Sequence, residues 1–156
     1  SPRPGMGNGR LHGAVDLYAP DGTEGYACEP GKVLFPGPYP FYRYPDREGV
    51  PYVDAVEIKT PDGRTMRYCE MKFLSKIKPG YEVAEGELIG HLKVMPGLQY
   101  PGNCMLHFEL YTGAQQGPLT VMKTAAGQPN VPFMRRGDLI DPTPYIDSCV
   151  LKAKLA

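Results

Sequence analysis

An all-β fold, mainly antiparallel and curled into a sheet or sandwich with long loops, is what this sequence predicts, on three observations. Short stretches alternate apolar and polar residues at the two-residue period of a strand, as in "VEIK" at 56–59 and "MLHFEL" at 105–110. The 19 glycines and 18 prolines punctuate the chain at turn-forming dipeptides, which suits many short strands better than a helical bundle. No segment has the length and periodicity of a convincing helix, and no repeat is visible. At 156 residues the chain is long enough for one domain with a real core and too short for two comfortable ones.

The elements follow in order. Residues 1–9, "SPRPGMGNG", are an irregular lead-in with little to bury. The apolar stretch in "RLHGAVDLYAPDGT" ends at the turn signal Pro20-Asp21-Gly22. Two short extended pieces flank Pro30-Gly31 in "EGYACEPGKVLF". "PGPYPFYRYPDREGVPY" reads as a long surface loop, because each proline lacks a ladder donor. The clearest hairpin is "VDAVEIKTPDGRTMRYCEMKF": Val56 and Ile58 alternate with Glu57 and Lys59, Asp62-Gly63 turns the chain, and Met66, Tyr68 and Glu70 share a face of the return strand. "ELIGHLKV" is a further strand. In the strand after it, Leu106, Phe108 and Leu110 face a core while Met105, His107 and Glu109 face the other way. Residues 113 to 137 read as mostly irregular, and "DLIDPTPYI" as a closing segment that docks on the domain.

Composition excludes some functions. Seventeen basic and seventeen acidic residues give zero formal net charge, so no footprint for nucleic acid is present. No apolar run approaches the roughly 20 residues of a membrane span. Cys28, Cys69, Cys104 and Cys149 form an even set without zinc-ribbon spacing. Buried thiols and disulfides both fit; the even count favours disulfides and an extracytoplasmic or secreted setting.

Chemistry enters through the order of small motifs. Arg10-x-His12-x-x-x-Asp16 is followed by Ala-Pro-x-Gly-Thr, by Asp-Gly-x-Thr-x-x-Tyr, by Pro-Gly-x-x-Val-x-x-Gly-x-x-Ile-Gly, by Leu-His-Phe-Glu-Leu and by a late Asp-Pro. This succession resembles the M23 zinc metallopeptidases, the lysostaphin and LytM-like enzymes that cut peptide cross-links in bacterial cell walls. The resemblance implies a curled sheet of that family's duplicated type over residues 10–146, with 147–156 as a tail. It also implies Zn2+ held by His12, Asp16 and His107, two imidazoles and a carboxylate with a fourth position for water.

Two further histidines do chemistry in the family, and both are replaced here: one position holds Met105, the other Glu70. Met105 can neither hold a proton nor donate one. A positioned acid or base contributes about 10² to 10⁴ in rate, and an oxyanion donor about 10² to 10³. Losing both removes roughly 5 to 9 kcal/mol if the effects add. Three roles stay open for Glu70: general base on a zinc-bound water, fourth ligand, or exposed carboxylate. Degenerate members resemble this chain in kind, among them the division-associated LytM-like activators and the secreted leukocyte-derived chemotaxin. The reading is therefore a zinc-binding M23-like domain, impaired or inactive in hydrolysis, that binds a peptidoglycan peptide or a protein partner. An active peptidase using Glu70 is the alternative, and a structural module of an envelope or phage-tail assembly is a third.

Tyr39, Tyr42 and Tyr44 in the Pro-rich loop are candidates for a groove wall, against the simpler packing of that loop onto the sheet. His91 falls outside the family's site. Arg136-Gly137-Asp138 spells an integrin-type tripeptide that is too short and common to carry a role. Ala14 and Gly25 stand where the family commonly has glycine and valine, and neither change removes a ligand.

Overall fold

The computed structural model describes residues 14–42, 53–93, 104–121 and 134–148. Twelve strands are formed: β1 (Val15–Ala19), β2 (Glu24–Tyr26), β3 (Gly31–Val33), β4 (Tyr39–Tyr42), β5 (Val53–Lys59), β6 (Thr65–Phe73), β7 (Glu82–Val83), β8 (Leu88–Leu92), β9 (Cys104–Tyr111), β10 (Thr120–Val121), β11 (Met134–Arg135) and β12 (Leu139–Ile140). Ten of them make one antiparallel sheet whose spine runs β1-β9-β6-β5-β3-β7, while β10 and β11 pair separately. The expected all-β architecture is what the chain adopts.

Three long strands, β5, β6 and β9, form the centre because they carry the densest β-branched, aromatic and alternating sequence. The β5–β6 hairpin pairs Lys59 with Thr65 across the Asp62-Gly63 turn, and Gly63 has the positive φ of 91° that such a turn requires. One face of the centre is the core: Val56 and Ile58 of β5, Met66 and Tyr68 of β6, and Phe108 and Leu110 of β9 are all at most 2% exposed. Leu106, on the same face, is only partly buried. Phe108 meets Tyr68 edge-on and stacks on Tyr145, whose hydroxyl donates to Glu29. The closing segment thus docks as expected: β12 pairs with β9, and a helical turn over 143–148 carries Tyr145 onto the core.

Several expectations change. The Pro- and Tyr-rich stretch is not wholly loop, because β4 pairs with the outer edge of β5. Pro40 is tolerated since an edge strand does not need every donor, and the register shifts between Pro40 and Tyr42. The described part of residues 113 to 137 is mostly irregular, as expected, and adds only the short β10–β11 pair. Cys69 and Cys104 are buried free thiols, so the disulfide expectation fails for both; Cys149 lies outside the described residues. A Cβ at Gly25 would meet the terminal methyl of Met71, a flexible side chain that can shift aside. Among the described residues no helix is long and apolar enough to cross a membrane.

Candidate metal centre

The second face of the central strands is polar and also buried. Antiparallel register places Asp16 of β1 opposite His107 of β9, and His107 opposite Cys69 of β6, which in turn faces Ala55 of β5. One step along, Arg67 lies between Glu109 and Glu57. Directly opposed residues share a face, so Asp16, His107, Cys69, Ala55, Glu109, Arg67 and Glu57 form one polar surface.

His107 is 9% exposed and meets a carboxylate at each ring nitrogen: Nδ1 is 3.1 Å from Asp16 Oδ1, and Nε2 is 2.9 Å from Glu109 Oε1. Burial pushes the imidazole down, but the two carboxylates outweigh it and raise its pKa to about 8. Glu109 shows the complementary balance. Burial pushes it up, while hydrogen bonding from His107 and the Arg67 and Arg135 charges hold it at about 2. Its Oε1 accepts from Arg135 Nε at 2.7 Å, its Oε2 accepts from Tyr111 at 2.6 Å, and Arg67 Nη1 lies 3.2 Å away.

A neutral imidazole carries one N–H and cannot donate to both carboxylates. With the proton on Nε2 toward Glu109, Nδ1 and Asp16 Oδ1 bring lone pairs face to face, an arrangement satisfied by a second proton or by a cation. Tetrahedral zinc with donors at about 2.0–2.2 Å would hold two donors about 3.3 Å apart, close to the 3.1 Å observed. A carboxylate on the far nitrogen is the usual support of a metal-bound histidine. The donor pair therefore fits zinc. His12, the third predicted ligand, lies outside the described residues, and among those described no group of three or more His, Cys, Asp or Glu side chains is arranged to hold a metal.

The other candidates separate. Met105 shares the face of His107 and is half-buried, opposite Tyr18, which is 72% exposed. Glu70 sits at the bulge where β6 passes from β9 to β8, with φ of 70°, a left-handed conformation rare outside glycine. Its charge raises the Cys69 and Cys104 thiols further above the level set by their burial. Tyr39 donates to Glu57 at 2.6 Å and so packs β4 onto the sheet; the Tyr42 side chain and Tyr44 lie outside the described residues. His91 pairs across β8 with Glu24 and Lys72 in another part of the sheet. Arg136 and Asp138 are buried and ion-paired at 2.6 Å, which takes the two charged side chains of the tripeptide away from the surface.

Sequence reasoning missed Arg67 and Arg135, and took Phe41 only as one more aromatic of the Pro-rich loop. Phe41 of β4 lies on this same polar face. Its ring centroid is 5.8 Å from that of His107, with the guanidinium carbons of Arg67 and Arg135 at 5.3 and 5.7 Å. Alternation alone placed Arg67 on this face, but its partners come from β5, β9 and β10, which no local signal announces.

An open antiparallel sheet with a histidine–aspartate pair on its polar face is the class this geometry defines. The chain belongs to peptidase family M23, whose sequence pattern matches residues 10–118. Its fold is similar to that of LytU (TM-score 0.58, 22% identity, covering 94% of this chain and 79% of that one). It is also similar to the catalytic domain of the antimicrobial peptidase lysostaphin from Staphylococcus simulans (0.54, 20%, 94% and 86%). Against lysostaphin in solution the TM-score is 0.56 at 21% identity; 96% of this chain is covered but only 48% of lysostaphin, so the chain spans about half that protein's length. No curated protein matches.

Proposed function

We propose that residues 10–146 form a zinc-binding M23 domain, extracytoplasmic or secreted, that has lost most or all hydrolytic activity and acts by binding a peptidoglycan-like peptide or a protein partner. One observation carries the metal half of this reading: Nδ1 of His107 and Oδ1 of Asp16 converge at 3.1 Å while Glu109 holds the opposite ring nitrogen. Asp16, His107 and His12 are the residues that would hold the ion. Zinc, when bound, supplies Lewis-acid polarisation and an acidified water. The chain's own groups contribute little beyond that, since Met105 offers no proton where the family has a histidine.

Metal analysis of protein purified without chelator is expected to find one zinc per chain. His107→Ala is expected to abolish binding and lower the melting temperature, because metal held only by the folded state adds its binding energy to stability. Wild-type protein that stays metal-free in excess zinc, or binding indifferent to His107→Ala, contradicts the assignment.

A second reading is favoured by the placement of Glu70. A carboxylate on a bulge, at the position of the missing histidine, is a candidate base for a metal-bound water. Turnover lost in Glu70→Gln would support it.

A further inference from the structure

Glu109 is 1% exposed and is enclosed by donors from four directions. Arg135 Nε and His107 Nε2 converge on Oε1, while the Tyr111 hydroxyl donates to Oε2 and Arg67 Nη1 approaches it. The arginines come from different elements, β6 and β11, and are themselves fixed. Arg67 donates to Thr120 Oγ1 at 2.9 Å and is 1% exposed, and both guanidiniums lie beside the Phe41 ring. We propose that Arg67 and Arg135 are positioning residues of the metal centre, acting through Glu109 to fix the His107 ring so that Nδ1 faces Asp16. The inference rests on the zinc reading above.

The chemistry runs in three steps. A carboxylate that accepts from Arg135 and Tyr111 and lies 3.2 Å from the Arg67 guanidinium is ionised and an acceptor only, so the proton shared with His107 sits on the imidazole and not on Glu109. That proton occupies Nε2, which fixes the tautomer and leaves Nδ1 as the donor atom toward Asp16. Phe41 lies beside all three groups, its ring centroid 5.8 Å from that of His107 and both guanidiniums over its face, and adds apolar packing next to the imidazole. The β11 segment, far from His107 in sequence, thereby sets the direction of a ligand.

Zinc affinity in Arg135→Met, measured by competition with a chromophoric chelator, tests this because two effects oppose. Removing a nearby positive charge would by itself tighten binding of a dication; loss of ring alignment weakens it, by about 10- to 100-fold for a support of this kind. The expected result is at least tenfold weaker binding, with Arg135→Lys recovering most of it. Unchanged or tighter binding in a folded Arg135→Met protein overturns the proposal. Ring ¹⁵N spectra of His107 in the metal-free wild-type protein, recorded at alkaline pH after the second ring proton has left, provide a measurement that needs neither a variant nor zinc: a neutral ring protonated at Nε2 is expected, and one protonated at Nδ1 overturns the positioning claim. Wild-type protein that binds no zinc sinks the underlying zinc reading, while the ring spectrum still decides the positioning.

Discussion

His107 stands between two carboxylates, which gives the metal-free protein a definite pH response. Its folded pKa of about 8 exceeds the ordinary value near 6.5, so the imidazolium contributes stability that is complete below about pH 6.5 and is lost as pH rises through 8. The shift corresponds to about 2 kcal/mol. Melting temperatures in the presence of chelator are expected to fall between pH 6.5 and 9 and to lose that dependence in His107→Gln; a rise over the same range contradicts the arrangement. On the proposed reading, a zinc ion held by His107 and Asp16 would take the place of the second proton, and the zinc-loaded protein is expected to keep its stability at the alkaline end. Asp16 and His107 were legible in the sequence because their types and order follow a motif. Arg67 and Arg135 were not, because a buried arginine is recognised by partners that are distant in sequence, here Glu57 and Glu109.

At the scale of elements, β6 does two jobs. Its first half pairs with β9 and presents Arg67 and Cys69 to the polar face; beyond the bulge at Glu70 its second half pairs with β8. The hairpin and the histidine strand were legible because two-residue alternation and an Asp-Gly turn are strong local signals. The edge strand β4 was not, since its prolines signal a break and only the open edge of β5 supplies its partner. The turn after β9 is a place where backbones meet: Gly113 has φ of 86°, and a Cβ there would stand 2.1 Å from the carbonyl oxygen of Gly63. Gly113→Ala is expected to cost at least about 1–2 kcal/mol from the left-handed backbone alone, read as a lower denaturant midpoint with zinc affinity retained. A midpoint equal to wild type would show that the two turns are not packed as described. In the core, Phe108→Ala removes a ring that is 0% exposed between Tyr68 and Tyr145, and is expected to cost about 3–5 kcal/mol in urea unfolding.

At the scale of the whole molecule, an M23-family sheet carries the Asp16–His107 pair and Met105 on one face and Glu70 at the bulge of β6; on the proposed reading, Met105 and Glu70 stand where the family's chemistry would use histidine. On that reading β9, Glu109 and the arginines behind it support the residues that would hold an ion, whereas Met105 offers no group that moves a proton. Glu70→His with Met105→His would restore both groups on an unchanged ligand pair, and a gain of cleavage over wild type is the expected sign that the groove still admits a peptide. The central claim, a zinc domain impaired in hydrolysis, is tested most directly by turnover of peptidoglycan and of glycine-rich peptides by the wild-type protein carrying one equivalent of zinc. No detectable cleavage is expected under conditions where intact family members act; robust turnover that vanishes in Glu70→Gln would contradict the account and make Glu70 the base of a working peptidase.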